Sequence, residues 1–115
     1  MTNKEIIRKV NEGFAEGDNE KILQYVADDV HWDIIGISVH VGKDEFRKEI
    51  NNDSFVGKPT ITTKNEIEEG DKVAVEGEVQ CRMRNGRMLD AFFFDSYRLE
   101  DGKIKEMRSY LIEKK

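Results

Sequence analysis

Two aspartates stand inside segments that otherwise have the pattern of β-strands. Asp33 follows Trp32 in the first strand candidate, and Asp95 interrupts the aromatic run Phe92–Tyr97. A carboxylate on a strand can take a proton from the carbon next to a carbonyl group. A second carboxyl group, held neutral by an apolar surrounding, can donate a hydrogen bond to the enolate that forms. The pair predicts proton transfer on a carbonyl compound, with Asp33 as the base and Asp95 as the acid or oxyanion donor.

Both acids also have an ordinary structural interpretation. Asp33 can be an exposed acid on an edge strand beside His31. Asp95 can be paired with a basic side chain of the same sheet, for which the candidates are Arg82, Arg98 and Arg108. Strand carboxylates in ion pairs are common, so the residue types alone leave both interpretations open.

The remaining reactive side chains give weaker signals. His31 and His40 titrate near neutrality, but a histidine at a strand end is usually a surface residue. They form no recognisable ligand spacing with Asp33, so we predict neither a metal nor a cofactor. Cys81 falls on the apolar face of its strand, where a thiol is usually inert.

Aromatic and apolar side chains are expected both in the core and around a ligand pocket. Trp32 and Phe93 are the strongest pocket candidates, because they flank the two acids. The residues predicted to bind a hydrophobic small molecule are Phe14, Trp32, Phe46, Phe55, Phe93, Tyr97 and Met107.

Length and composition restrict the class of protein. A chain of 115 residues predicts one domain over residues 1–115, and a formal net charge of −5 argues against a nucleic-acid partner. No apolar run approaches the roughly 20 residues that a membrane helix needs. A single cysteine and the lack of an apolar signal segment favour a reducing compartment, so we predict a cytoplasmic protein without a membrane partner.

Three helices are predicted in the first half of the chain. The first begins at the capping box formed by Thr2 and Glu5 and ends at Gly17, which suits a left-handed turn. A second, short helix follows and is broken by Asp28–Asp29. The third covers residues 43–51, where two apolar side chains stand four residues apart.

Strands dominate the second half of the chain. Residues 30–35 alternate as a first strand, and residues 36–42 are expected to form a loop or a loose extension of that strand. Four further strands follow, joined by tight turns, over residues 60–68, 72–84, 87–100 and 104–112. Helices early and an antiparallel meander late define an α+β fold, in which the helices lean into the concave side of the sheet and leave a cavity.

The register of the long hairpin decides what surrounds Asp95. Asn85-Gly86 is a strong signal for a two-residue turn, which we favour. This register places Glu76 opposite Asp95 on a polar face. A three-residue loop shifts the pairing by one and instead places Asp95 with Val75 in an apolar pocket.

Phe92 and Phe94 share one face of their strand in either register, and Phe93, Asp95 and Tyr97 share the other. The face with the two phenylalanines is too apolar for solvent. We therefore predict a homodimer through this outer face of the sheet.

Three segments of the chain resemble a known superfamily in order and spacing. They are Gly17–Trp32, Gly42–Phe46 and Leu99–Ile104. Together they are similar to the nuclear-transport-factor-2-like superfamily, in its SnoaL-like and ketosteroid-isomerase-like branch. The resemblance implies a curved antiparallel sheet wrapped around three helices as a cone (a cystatin-like α+β barrel), with a pocket at the open end and dimerisation through the outer sheet face.

The resemblance carries over to the site only in part. Asp95 matches the acid of the steroid isomerases' oxyanion hole, and their general base falls at Asp33 or Ile34, depending on the end from which one counts. The tyrosine of that oxyanion hole and its supporting tyrosine fall at Val10 and Val26. An ordinary steroid isomerase is therefore not expected.

The epoxide hydrolases of the superfamily are also not matched. The positions of their Asp-Arg-Asp set are occupied by Glu76, Glu78 and Ser109. The predicted function is an isomerase, dehydratase or cyclase that acts on a hydrophobic carbonyl compound without a cofactor. The alternative is a non-catalytic ligand-binding or dimerisation module of the same fold.

Overall fold

The computed structural model describes residues 1–115, which form three helices and six strands. The helices are α1 Asn3–Glu16, α2 Asn19–Leu23 and α3 Lys43–Ile50. The strands are β1 Val26–Ile34, β2 Ser38–Val41, β3 Phe55–Glu69, β4 Lys72–Met83, β5 Met88–Glu100 and β6 Lys103–Glu113. The predicted α+β architecture, a curved sheet that wraps around the helices as an open cone, is confirmed.

The six strands form one sheet in the order β2-β1-β6-β5-β4-β3. Neighbouring strands are antiparallel except for β1 and β6, which run parallel, so the sheet is mixed rather than wholly antiparallel. The helix α3 and four strands, β2 to β5, separate β1 from β6 in sequence, which gives the chain the long crossover that a parallel pair needs. The helix α1 packs on β3 and β4, and α3 packs on β1 and β2.

The ends of α1 form as the sequence predicts. The Thr2 hydroxyl accepts a hydrogen bond from the Glu5 backbone, the Glu5 side chain accepts one from the Thr2 backbone, and Gly17 turns left-handed at a φ of 69°. The apolar stripe of this helix, which includes Ile6 and Val10, is buried. These contacts fix the helix over the concave face of the sheet.

One sequence prediction about the first strands is wrong. The helix α2 ends at Leu23, and Asp28 and Asp29 lie inside β1 rather than breaking a helix. Both carboxylates face solvent, where Asp29 forms an ion pair of 2.7 Å with Lys105, so the strand accommodates them. Of the two alternatives for residues 36–42, a loop or a loose extension, the structure has an extended segment, β2, which forms a hairpin with β1.

The hairpin between β4 and β5 has a three-residue loop. The Met83 amide donates to the Arg87 carbonyl over 2.8 Å, and Gly86 lies in the left-handed region at a φ of 88°. Val75 is therefore opposite Asp95. The favoured two-residue turn is wrong, because Gly86 takes the left-handed conformation at the third position of a longer loop. Asp95 consequently faces the apolar interior.

The two faces of β5 differ as the sequence predicts. Tyr97, Ala91 and Leu99 are buried, whereas Phe92 and Phe94 are 49% and 41% exposed on the outer face. None of the helices has the length and apolar character needed to cross a membrane.

Candidate functional site

The concave side of the sheet encloses a cavity with two lobes. The inner lobe has a volume of about 250 Å³ and contains Asp95, and the outer lobe has a volume of about 380 Å³ and contains Glu49. Both lobes are lined by Phe14, Trp32, Ile34, Pro59, Val79 and Leu111. Because they share these walls, the lobes form one connected space of the size that small-molecule ligands occupy.

Asp95 and Ser109 form the polar centre of the inner lobe. They are directly opposite each other on β5 and β6, so the Ser109 hydroxyl lies beside the Asp95 carboxyl group and acts to lower its pKa. The Trp32 indole N–H donates to Ser109 Oγ over 2.9 Å. The indole thus holds the serine oxygen beside the carboxyl group.

The surroundings of Asp95 favour its neutral form. The side chains that accompany it are mainly apolar, and they include Phe93, Met107 and Leu111. Burial in this wall raises the pKa of Asp95 to about 7, although the hydrogen bond from Ser109 acts in the opposite direction. Near neutral pH both protonation states are therefore populated, as a general acid–base residue requires.

Tyr97 lies behind the cavity wall, on the same face of β5 as Asp95. It is only 1% exposed, and its hydroxyl group is buried without a hydrogen-bond partner. Burial raises the pKa of this phenol, and the negative charge of Asp95 raises it further. The tyrosine is therefore a neutral core residue beside the site rather than part of its lining.

The other predicted ligand-binding residues divide between the lobes and the core. Phe14 and Trp32 line both lobes, Phe93 and Met107 line the inner lobe, and Phe55 lines the outer lobe. Phe46 does not line the cavity. It is fully buried and packs on Trp32 at a centroid distance of 4.6 Å, so it supports the indole from the core.

Sequence reasoning did not assign several lining residues to the site. These are Asn11, Ile34, Ile61, Ser109, Tyr110 and Leu111 in the inner lobe, and Gly13, Asn19, Ile22, Glu49, Ile50, Asn52 and Leu89 among those in the outer lobe. The sequence pattern could have assigned Ser109 to the cavity, because Met107, Ser109 and Leu111 are spaced two apart and share one face of β6. For Ile34 the signal was its spacing of two from Trp32.

The structure does not bring Asp33 together with Asp95. Trp32 and Ile34 line the cavity, and Asp33, between them on β1, points to the opposite face of the sheet. Its strand neighbours are Val39 and Arg108. The position for a base at the cavity is occupied by Ile34, so the expected pair of carboxyl groups is absent.

The histidines and the cysteine lie away from Asp95. His31 is exposed, and His40 has Nε2 placed 2.9 Å from Ser38 Oγ. Cys81 lines the outer lobe, and burial raises the pKa of its thiol, which disfavours the reactive thiolate. No group of three or more His, Cys, Asp and Glu side chains converges on a common point.

A curved sheet wrapped around three helices defines a fold of the nuclear-transport-factor-2-like class. The SnoaL-like domain family matches residues 7–107, so the chain belongs to that family. No curated protein sequence is detectably similar to this chain.

Several solved structures have the same fold. An NTF2-like protein of unknown function from Burkholderia pseudomallei superposes with a TM-score of 0.85 and 23% identity, over 95% of this chain and 90% of that one. TerC, co-crystallised with polyporic acid, superposes with a TM-score of 0.79 and 25% identity, over 93% of this chain and 88% of that one. An LEH-like epoxide hydrolase from M. tuberculosis has a TM-score of 0.84 at 13% identity, over 95% of this chain and 81% of that one, a likeness of fold alone.

Proposed function

We propose that this protein binds a hydrophobic carbonyl compound in the inner lobe and catalyses proton transfer on it with Asp95 as the only acid–base residue. The observation that carries the proposal is the position of Asp95, the one carboxyl group of a mainly apolar lobe. The reaction class is isomerisation, dehydration or cyclisation, and none of these requires a redox cofactor.

In this reaction Asp95 acts first as the base and then as the acid. The Asp95 carboxylate takes a proton from the carbon next to the carbonyl group, and the electron pair of that C–H bond moves into an enolate. The carboxylic acid then returns the proton to a different carbon, which completes an isomerisation, or to a departing hydroxyl group, which completes a dehydration. A pKa of about 7 places the two forms close in free energy at neutral pH, which is the optimum for such a residue.

Ser109 and Trp32 have a positioning role in this proposal. The serine hydroxyl donates to the carboxylate form of Asp95 and, by rotating, can accept from the carboxylic acid form. The indole N–H occupies a second acceptor direction of the serine oxygen at 2.9 Å. The carboxyl group is therefore kept in place while its charge changes.

The alternative proposal is a non-catalytic binding module. The absence of a second ionised group in the inner lobe favours it, because the enolate would have no charged partner there. The co-crystallisation of TerC with polyporic acid supports a small-molecule ligand under either proposal.

Exchange of hydrogen for deuterium separates the two proposals. Phenylacetone, incubated with the protein in heavy water, should lose its methylene proton signals faster than in buffer. Asp95→Asn should slow the catalysed exchange by about a hundredfold or more. Asp33→Asn is the matched control, because Asp33 lies outside the cavity, and it should exchange at the wild-type rate. Binding of phenylacetone without any catalysed exchange would instead support the binding module.

A further inference from the structure

The outer lobe has one charged side chain, and that side chain is an acid. Glu49 lies on α3 near the end of the helix, and the polar residues that accompany it in the lobe are Asn19 and Asn52. No lysine or arginine lines either lobe. The outer lobe is thus negatively polarised, whereas the inner lobe contains a carboxyl group that is largely neutral below pH 7.

Glu49 has few partners within the chain. Its side chain is 19% exposed, and its nearest basic atom is His40 Nε2, at 3.7 Å from Oε1. The other oxygen, Oε2, is 3.5 Å from Asn52 Nδ2, at the limit of a hydrogen bond. His40 Nε2 is also engaged by Ser38 Oγ at 2.9 Å. A carboxylate can accept about four hydrogen bonds, so Glu49 retains acceptor capacity toward the cavity.

The wall between the two acids is apolar. Phe14, Trp32 and Ile34 line both lobes, and they present aromatic and aliphatic surface along the path from Asp95 to Glu49. A ligand that spans this path needs an apolar middle, because a polar group there would lose its hydration without gaining a partner. The two ends of the ligand meet different side chains: Asp95, which can exchange a proton, at one end and Glu49, whose one basic neighbour is His40, at the other.

From this arrangement we infer that the ligand is an elongated carbonyl compound with an ammonium group at the end remote from the carbonyl. The carbonyl end lies against Asp95 and Ser109, the apolar body lies along Trp32, and the ammonium group donates to Glu49. The inference rests on the proposed function for the carbonyl end, and the assignment of Glu49 as a cation subsite goes beyond it.

Trp32 provides the readout, since it is the only tryptophan of the chain and lines both lobes. The probes are acetophenones with a para alkyl chain of varied length that ends in an ammonium, hydroxyl or carboxylate group. Affinities are measured from tryptophan fluorescence at a pH about one unit below the pKa of Asp95. The best ammonium probe should bind about five- to tenfold more tightly than its hydroxyl analogue, and the carboxylate analogue should bind most weakly.

Two variants of α3 identify the source of the preference. Glu49→Gln should reduce the affinity ratio of ammonium to hydroxyl probe to about one, with the hydroxyl affinity unchanged. Glu45→Gln makes the same charge change on the exposed face of α3, where Glu45 pairs with Lys48, and should preserve the ratio. The circular dichroism spectrum establishes that each variant is folded.

The outcomes distinguish this inference from the proposed function. Equal affinity of ammonium and hydroxyl probes, or an ammonium preference that survives Glu49→Gln, overturns the cation subsite and leaves the carbonyl site standing. No fluorescence response to any of the probes, at any chain length, overturns both. A preference lost in Glu49→Gln and retained in Glu45→Gln supports the subsite.

Discussion

Ser109 stands directly opposite Asp95 across β5 and β6, and its hydroxyl oxygen accepts a hydrogen bond from the Trp32 indole. Asp95, Ser109 and Trp32 lie on β5, β6 and β1, which are neighbouring strands of the sheet. Asp95 therefore lies beside a polar side chain in a mainly apolar lobe that has no basic side chain. Proton transfer by Asp95 depends on this arrangement, which removal of the serine hydroxyl tests directly.

Removal of the serine hydroxyl should make Asp95 a weaker acid. Ser109→Ala deletes a hydrogen bond that favours the carboxylate, so the pKa of Asp95 should rise above its wild-type value of about 7. The expected rise is on the order of one pH unit. Ser96→Ala is the matched control on the opposite face of β5. Carboxyl-carbon NMR titration measures both, and an unchanged pKa in Ser109→Ala would show that the hydroxyl does not act on Asp95.

Asp95 should make the protein less stable as the pH rises. Its pKa in the folded chain, about 7, exceeds the reference of about 3.9 for an unfolded chain, so the folded state binds more protons between these values. Stability is therefore lost as the pH rises through this window. Asp95→Asn removes the effect, and above pH 7 it should be more stable than the wild type by roughly 2–4 kcal/mol.

Urea denaturation across the pH range measures this difference. The free energies of unfolding of wild type and Asp95→Asn should converge at acidic pH, where the aspartate is protonated in both states. Asp90→Asn serves as the control, since Gln80 and Lys114 lower the pKa of Asp90 and its contribution has the opposite sign. A stability difference between Asp95→Asn and wild type that does not vary with pH would contradict the assignment.

Gly77 should tolerate no side chain. A Cβ at this position would overlap the Thr62 carbonyl oxygen and lie 2.9 Å from the Phe93 ring. Gly77→Ala should lower the free energy of unfolding by about 1–3 kcal/mol or more, measured by urea denaturation. Addition of Phe93→Ala should not restore stability, because the closer contact is with backbone. Full stability of the single variant would show that this region of the sheet adjusts freely.

The outer face of the sheet should pair with a second copy of the chain. Phe92 is opposite Ile112 and Phe94 is opposite Tyr110, and all four side chains are substantially exposed. Such a cluster of large apolar side chains is unusual on a monomer. We expect a dimer at micromolar concentration by analytical ultracentrifugation, and a monomer for Phe94→Glu.

A control for the dimer comes from the turn between β1 and β2. Ile37 is 71% exposed and lies away from the phenylalanines, so Ile37→Glu should leave the dimer intact. A wild-type protein that sediments as a monomer at micromolar concentration would contradict the sheet-face dimer.

Features with a local physical cause were predictable from sequence. The capping box of Thr2 and Glu5 depends on residues three apart, and the alternation of β4 directly indicates its buried face. The position of Asp95 on the same face as Phe93 also followed from the period of two. Each of these predictions needs only the geometry of one element.

The wrong predictions concern places where a shift of one residue moves a side chain to the other face of the sheet. Asn85-Gly86 fits two loop lengths, and the choice between them placed Asp95 among either acids or valines. In β1 the same one-residue offset decides whether Asp33 or Ile34 faces the cavity. Trp32 is buried on the cavity side, so Ile34, two residues further on, also faces the cavity and Asp33 does not. The parallel pairing of β1 with β6 depends on long-range packing, for which the sequence contains no local signal.

The pKa of Asp95 in the wild-type protein, measured by carboxyl-carbon NMR, is the most direct test of the account. A desolvated acid–base residue in the inner lobe should titrate near pH 7. Its value should not change in Asp33→Asn, because Asp33 lies on the opposite face of the sheet. A value at or below the ordinary one of about 3.9 would mean that Asp95 is solvated or ion-paired, and the proton-transfer function would be wrong.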